Sequence, residues 1–213
     1  MTAATTAADR AHAAIREAII DGTYAPGEML SENELAQTLG MSRTPVRAAL
    51  ARLQDDGWIV VYPKRGALVC TLDTTAISEI ADARLVLEAA GVQSASVTQR
   101  RQLAQQLEPL LDAQALALAN RDVGAFVTAT VDFHRAFVEV GRNSYLLAVC
   151  ERISHRQRQL LFQRGDELQR RAAQIVGEHR ELLRLLAQED PAGFVTALRD
   201  HLTSTLGAEL ALA

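Results

Sequence analysis

Two groups of side chains in this sequence have the types and spacing to do chemistry. Arg43 and Arg47 lie four residues apart in the stretch SRTPVRAALARLQDDG, residues 42–57. That is about one helical turn, so both guanidiniums leave one side of a helix, where they can reach guanine edges and phosphates in a major groove. The second group is His134, His179 and His201. The first lies at the edge of an apolar stripe of Phe126, Thr130, Phe133 and Phe137. The second falls inside Ile175, Val176, Leu182, Leu183 and Leu186, the third inside Phe194, Leu198, Leu202 and Thr205. Neutral imidazoles converging from three helices make a transition-metal site. Each group also has a plainer explanation: a solvated helix face for the arginines, a hydrogen-bonded core position for any one histidine.

The elements that must present the arginines can be read around them. Ala11, Ile15, Ala18 and Ile19 mark an amphipathic helix that Gly22 and the turn YAPGE end. SENE, residues 31–34, reads as a capping box, the Ser31 hydroxyl serving an amide while the Glu34 carboxylate reaches back. Leu35, Ala36 and Leu39 supply that helix's apolar side, and only GMS separates it from the next, which is helix-turn-helix spacing. In the third helix Ser42 is the expected N-cap, Pro45 falls in the first turn, and Val46, Ala49, Leu50 and Leu53 form the buried stripe. Arg43, Arg47 and Gln54 flank this stripe, whereas Arg52 points elsewhere. WIVVYPKRGALVC follows, with β-rich runs at 58–62 and 67–71 around PKRG. The basic tip of this hairpin, Lys64 and Arg65, is expected at DNA backbone or minor groove, with Gly66 permitting close approach.

Charge distribution agrees. The 213-residue chain carries a formal net charge of −4, yet residues 41–70 set Arg43, Arg47, Arg52, Lys64 and Arg65 against Asp55 and Asp56 alone. A local basic surface on an acidic molecule is an electrostatic footprint for an anion.

The stretch PGEMLSENELAQTLGMSRTPVRAALARLQDDGWIVVYPKRGALV resembles, along its whole length, the winged-helix domain of GntR-type bacterial transcription regulators. The resemblance implies that Arg43 and Arg47 contact operator bases or phosphates, with Ser42 and Thr44 beside them on the same surface. It implies a further contact at Asn33, where relatives commonly carry a basic residue.

Beyond a polar junction at 72–75, six helical patterns fill the chain, at 76–97, 99–120, 122–140, 143–163, 166–188 and 191–211. NRD, GRN, RGD and EDP mark the breaks, and Asp190-Pro191 is an N-cap with a first-turn proline. The expected fold class is mainly α: a winged helix-turn-helix domain over 1–71 and an all-α antiparallel bundle over 76–213 that binds an effector and dimerises. This second part resembles the FCD domain of the FadR subgroup, in its smaller, VanR-like branch. Metal-binding members of that subgroup place histidines in the contexts Phe133-His134, Glu178-His179 and His201-Leu202, and add an aspartate one turn before the first. Here that position is Thr130. Asp132 stands about 200° round the helix from His134 and does not replace it. A three-histidine site for a divalent transition metal, zinc or nickel, is what remains, with open positions for water or a carboxylate. His155 is expected at the surface, opposite its helix's apolar stripe.

Arg84 and Glu88, one turn apart within an apolar stripe, read either as a mutually paired salt bridge or as an arginine offered to an anionic effector. Thr130 and Gln157 are further candidates for the effector pocket. The expectation is a homodimeric repressor that binds a palindromic operator in double-stranded DNA under the control of a small organic acid. Two alternatives stand beside it. One is a metal-dependent enzyme using the three histidines, although no general base, HExxH, GxSxG or phosphate loop accompanies them. The other is a constitutive DNA-binding dimer without effector. No stretch approaches the ~20 apolar residues of a membrane span. Met1–Arg16 lacks the pattern of a signal peptide, and Cys70 and Cys150 read as reduced thiols, so a cytoplasmic location is expected.

Overall fold

The computed structural model describes residues 6–207. The chain divides into two compact units that part between Thr71 and Leu72.

The first unit begins with α1 (Ala7–Ile20), where Thr6 and Asp9 form a reciprocal capping box and Ala11, Ile15, Ile19 and Ile20 are buried. A two-residue strand β1 (Met29–Leu30) leads into α2 (Glu32–Thr38), and α3 (Arg43–Asp55) follows. Val46, Ala49, Leu50 and Leu53 are the buried residues of α3, the stripe read from the sequence. Ser31 and Ser42 occupy the N-cap positions of α2 and α3, but neither hydroxyl makes a cap hydrogen bond. The box expected between Ser31 and Glu34 is therefore absent, and α2 is held by burial of Leu35 and Ala36 instead. The hairpin is β2 (Ile59–Tyr62) and β3 (Gly66–Val69), paired from Ile59↔Val69 to Tyr62↔Gly66.

β1 completes a three-stranded antiparallel sheet of order β1-β3-β2, with Leu30 opposite Ala67. Local sequence does not announce this strand, because two residues carry no periodicity and it exists through a partner distant in sequence. Gly66 is what lets β1 approach. It sits at φ +118°, and a Cβ there would lie 2.4 Å from the Leu30 carbonyl oxygen.

In the second unit the described helices are α4 (Thr74–Ser94), α5 (Val97–Ala119), α6 (Val123–Glu139), α7 (Ser144–Gln163), α8 (Gly165–Ala187) and α9 (Pro191–Leu206). Side-chain caps start most of them: Asp73, Ser96, Asp122, Asn143 and Asp190 each accept a first-turn amide. The last helix, expected to 211, ends at Leu206 because Gly207 turns left-handed at φ 59°. Residues 208–211 of that expectation lie outside the described residues. Arg164, between α7 and α8, donates to the Thr205 and Leu206 carbonyls at 2.9 and 2.6 Å and so closes the end of α9.

The core of this unit packs Leu85, Val92, Leu107, Leu111, Phe133, Phe137, Leu182, Leu186, Phe194, Leu198 and Leu202. α4 crosses α6 at Gly91, where a Cβ would lie 2.1 Å from the Phe137 carbonyl oxygen. That crossing brings Arg84 and Glu88 of α4 beside α6. His155 departs from expectation. It is half-buried, since α7 packs against α4, α6 and α8 and has more than one covered side.

Candidate functional site

In the first unit, α3 presents Arg43 and Arg47 outward, their side chains 60% and 68% exposed. Together with Asn33, Lys64, Arg65 and Gly66 they line an open cleft of about 590 Å³ between α3 and the hairpin. Ser42 and Thr44 are exposed at the start of α3 but do not line the cleft. The hairpin is tied to α3 by Gln54, whose Oε1 accepts the Val61 amide at 2.8 Å, so this side chain braces the wing. Lys64 holds the wing tip in a left-handed conformation at φ 65°, and the Arg65 amide closes the turn onto the Tyr62 carbonyl at 3.0 Å. Arg52 is engaged elsewhere, donating to Asp9 of α1 at 2.6 Å. The Thr6 hydroxyl, then Arg52, hold the Asp9 carboxyl down at about 2.

One acidic residue enters the cleft. Glu32, the first residue of α2, accepts from Arg43 Nε at 2.8 Å and from Arg47 Nη2 and Nε at 2.9 and 3.1 Å. Hydrogen bonds from Arg47, then Arg43, lower its carboxyl below the usual range, and the same contact raises Arg47. No local sequence pattern marks this residue, because its partners come from the next helix.

In the second unit, α6, α8 and α9 bring His134, His179 and His201 into one buried cluster whose ligating nitrogens all lie within 4.8 Å of one another. His134 Nε2 is 3.2 Å from His179 Nε2 and 3.2 Å from His201 Nε2. Each ring's other nitrogen meets an outer partner. His134 Nδ1 lies 2.8 Å from Glu88 Oε2, His179 Nδ1 2.7 Å from Gln114 Oε1, and His201 Nδ1 2.7 Å from Glu178 Oε2. The Gln114 amide nitrogen donates to the Ala129 carbonyl at 3.3 Å, which leaves its oxygen to accept from His179. Acceptors at all three Nδ1 atoms place a proton on each, so three Nε2 lone pairs face one another.

Lone pairs 3.2 Å apart repel unless a cation or shared proton lies between them. Four nitrogens around an ion at 2.0–2.1 Å stand about 3.3 Å apart in tetrahedral geometry, close to the 3.2 Å of the His134–His179 and His134–His201 pairs. The residues therefore fit a divalent transition metal held on one side by three imidazoles. Burial, followed by the neighbouring positive groups, pushes His134 and His179 well below the ordinary histidine value. Burial also lowers His201, opposed by Glu178. Neutral imidazole, the ligating form, is thus favoured. Thr130 lies buried one turn before His134 on α6, and its hydroxyl has no hydrogen-bond partner. Asp132 is exposed, away from the cluster.

Arg84 and Glu88 do pair, Nε to Oε1 at 2.9 Å, and both are buried. Glu88 bridges Arg84 to His134, while the arginine's Nη2 has no hydrogen-bond partner. Desolvation raises the Glu88 carboxyl against the pull of Arg84. Gln157, also buried, lines a small cavity with Arg84, Glu88 and His134. Gln114 and Glu178 were missed as outer partners. A buried glutamine in the stripe of Leu107, Leu111 and Ala117 was a signal for the first. Glu178 gave none, since it reaches across to α9 rather than joining His179 on its own helix.

Comparison with known proteins gives two family matches. Residues 7–69 match the bacterial regulatory proteins of the gntR family, and residues 79–204 match the FCD domain. A helix-turn-helix transcriptional regulator from the ttuE–ttuC′ intergenic region of Agrobacterium vitis is 35% identical over 131 residues, covering 60% of this chain and 77% of that protein. The gluconate operon transcriptional repressor of Bacillus licheniformis is 32% identical over 135 residues, covering 63% of this chain and 55% of that one. Among solved structures, a GntR transcriptional regulator from Rhodococcus sp. RHA1 superposes with a TM-score of 0.79 at 25% identity, over 94% of this chain and 95% of that chain.

Proposed function

This chain belongs to the GntR family of bacterial regulatory proteins, in the branch carrying an FCD domain, and from that membership we propose a metal-assisted, organic-acid-responsive repressor. Members of the family are DNA-binding transcription regulators and not enzymes, so the metalloenzyme alternative falls away. The proposed DNA contacts are Arg43 and Arg47 with Asn33, Ser42 and Thr44, and Lys64, Arg65 and Gly66 of the wing. Repression is supported by the naming of the B. licheniformis relative as a gluconate operon repressor. A homodimer on a palindromic operator is supported by exposed Val86, Tyr145 and Val149 on the adjoining helices α4 and α7, which a second copy would cover. No helix among the described residues is long and apolar enough to cross a membrane.

The observation that carries the sensing half is the convergence of three Nε2 atoms whose rings each meet an outer partner at Nδ1, which supports a ligating role for them. His134, His179 and His201 would hold zinc or nickel, and the metal would supply a Lewis-acid anchor for a carboxylate. Arg84 through its unpartnered nitrogen, the Thr130 hydroxyl and Gln157 would orient the rest of a small organic acid. An effector that prefers one conformation of the dimer then shifts operator affinity by its differential binding.

Metal analysis of the purified chain, followed by melting with and without chelator and with a panel of organic acids, tests this. Bound metal at one per chain is expected, with a lower melting temperature after chelation. A matching acid should add about 2.7 kcal/mol at a hundredfold excess over Kd. Metal-free protein whose melting neither metal nor acid moves would instead overturn the sensing half and favour a constitutive DNA binder without effector.

A further inference from the structure

Among the groups that line the DNA-facing cleft, one opposes the rest. Arg43, Arg47, Lys64 and Arg65 are cations, and Glu32 is an anion seated between the first two. For affinity to phosphate alone, this carboxylate is a handicap, since it cancels one positive charge where phosphate must come. Its contacts are also selective among donors. Arg43 is held by Nε only, which leaves both terminal nitrogens for an end-on, two-bond contact of the kind that reads guanine. Arg47 is held along its Nε–Nη2 edge, leaving Nη1 outside the bonds to Glu32.

We propose that Glu32 is a specificity-determining residue of the DNA interface, clamping Arg43 and Arg47 in base-reading orientations and withholding charge from the phosphates. The proposal rests on the reading of those two arginines as DNA contacts. Without the clamp, each long side chain is free to swing to the nearest phosphate, a contact that carries no sequence information. Non-specific binding then strengthens and discrimination falls.

The full-length chain first selects a preferred duplex from a library with a randomised central segment. That duplex and a shuffled one of equal composition are the probes. Glu32→Gln keeps the shape and removes the charge. Its affinity for the shuffled duplex should rise about threefold or more, with the slope of log K against log salt steeper by about 0.9. The ratio of selected to shuffled affinity should fall about tenfold. Glu32→Asp keeps the charge on a shorter stem, and should restore the salt slope with only part of the ratio.

Arg43→Ala and Arg47→Ala serve as controls and should lose the selected duplex. If they bind it as wild type does, the interface itself is misassigned. If they lose it while Glu32→Gln keeps the ratio within twofold and leaves the slope unchanged, the clamp alone is refuted. Equal weakening of Glu32→Gln on both probes with a lowered melting temperature also refutes it, since that is the signature of a merely structural residue.

Discussion

Replacing Gln114 by Leu tests whether the outer partners of the histidine cluster set its ability to ligate. Leucine fills a similar volume and offers no acceptor. In the native protein the Gln114 oxygen, 2.7 Å from His179 Nδ1, keeps the proton on that nitrogen and the lone pair on Nε2. Losing the acceptor strands a buried N–H, which costs about 1–3 kcal/mol. The ring escapes by moving its proton to Nε2, where His134 Nε2 stands 3.2 Å away as an acceptor. In that tautomer the ligating lone pair is gone. Metal must force the ring back, so affinity falls by the cost the ring had avoided: about 1–3 kcal/mol, roughly 5- to 150-fold. The Ala129 carbonyl loses its donor in both forms alike and leaves this difference unchanged. Titration of zinc against a chromogenic chelator measures the affinity, and nitrogen chemical shifts of the imidazoles locate the protons. Zinc affinity within twofold of wild type, with the His179 proton found on Nε2, refutes the reasoning.

Thr130→Asp places a buried carboxylate one turn before His134 on α6. The chelator-treated variant should melt below wild type, as a buried carboxylate lacks a cation, whereas zinc should restore it and bind at least about tenfold tighter; identical melting in both states would show that position 130 does not face the metal. The chelator-treated wild type should lose stability as pH falls below about 6.5, because the unfolded chain then binds protons that buried His134, His179 and His201 refuse. Stability is complete above that value and declines by up to about 1.4 kcal/mol per pH unit for each group, offset in part by Glu88, whose raised carboxyl works in the opposite sense. Urea unfolding at pH 7.5 and 5.5 measures it, and a flat profile counts against burial of the three rings. Gly66→Ala drives a Cβ into the Leu30 carbonyl at φ +118°, so the first unit should lose several kcal/mol, on the order of 2–4, with loss of DNA binding. Wild-type melting and binding would show that β1 does not sit against β3.

Much of the architecture was legible because it is local. Val46, Ala49, Leu50 and Leu53 repeat at helical spacing, and they are the buried side of α3. Asp190-Pro191 announces the start of α9 by residue type alone, and Asp190 caps it with a 2.8 Å bond to the Gly193 amide. The inward-facing histidines could be named because a polar residue inside an apolar stripe is anomalous wherever the stripe packs. Local signals also misled. Ser31 and Glu34 have the capping-box spacing, and the box does not form.

By itself the sequence determined which side of a helix carries the buried stripe, since helical period and cap chemistry act within a turn or two of the chain, though it misplaced His155 on a helix covered on more than one side. It determined that Arg43 and Arg47 share one side of a helix and that three imidazoles point into a core. Only the tertiary structure decided what each of them touches. Glu32 binding two arginines of the next helix, Gln114 of α5 fixing the proton of His179 on α8, and Glu178 reaching His201 on α9 are contacts between separate elements. A hydrogen bond is decided within a few tenths of an ångström, and the packing of α4, α5, α6, α8 and α9 sets those distances; no spacing along one helix does.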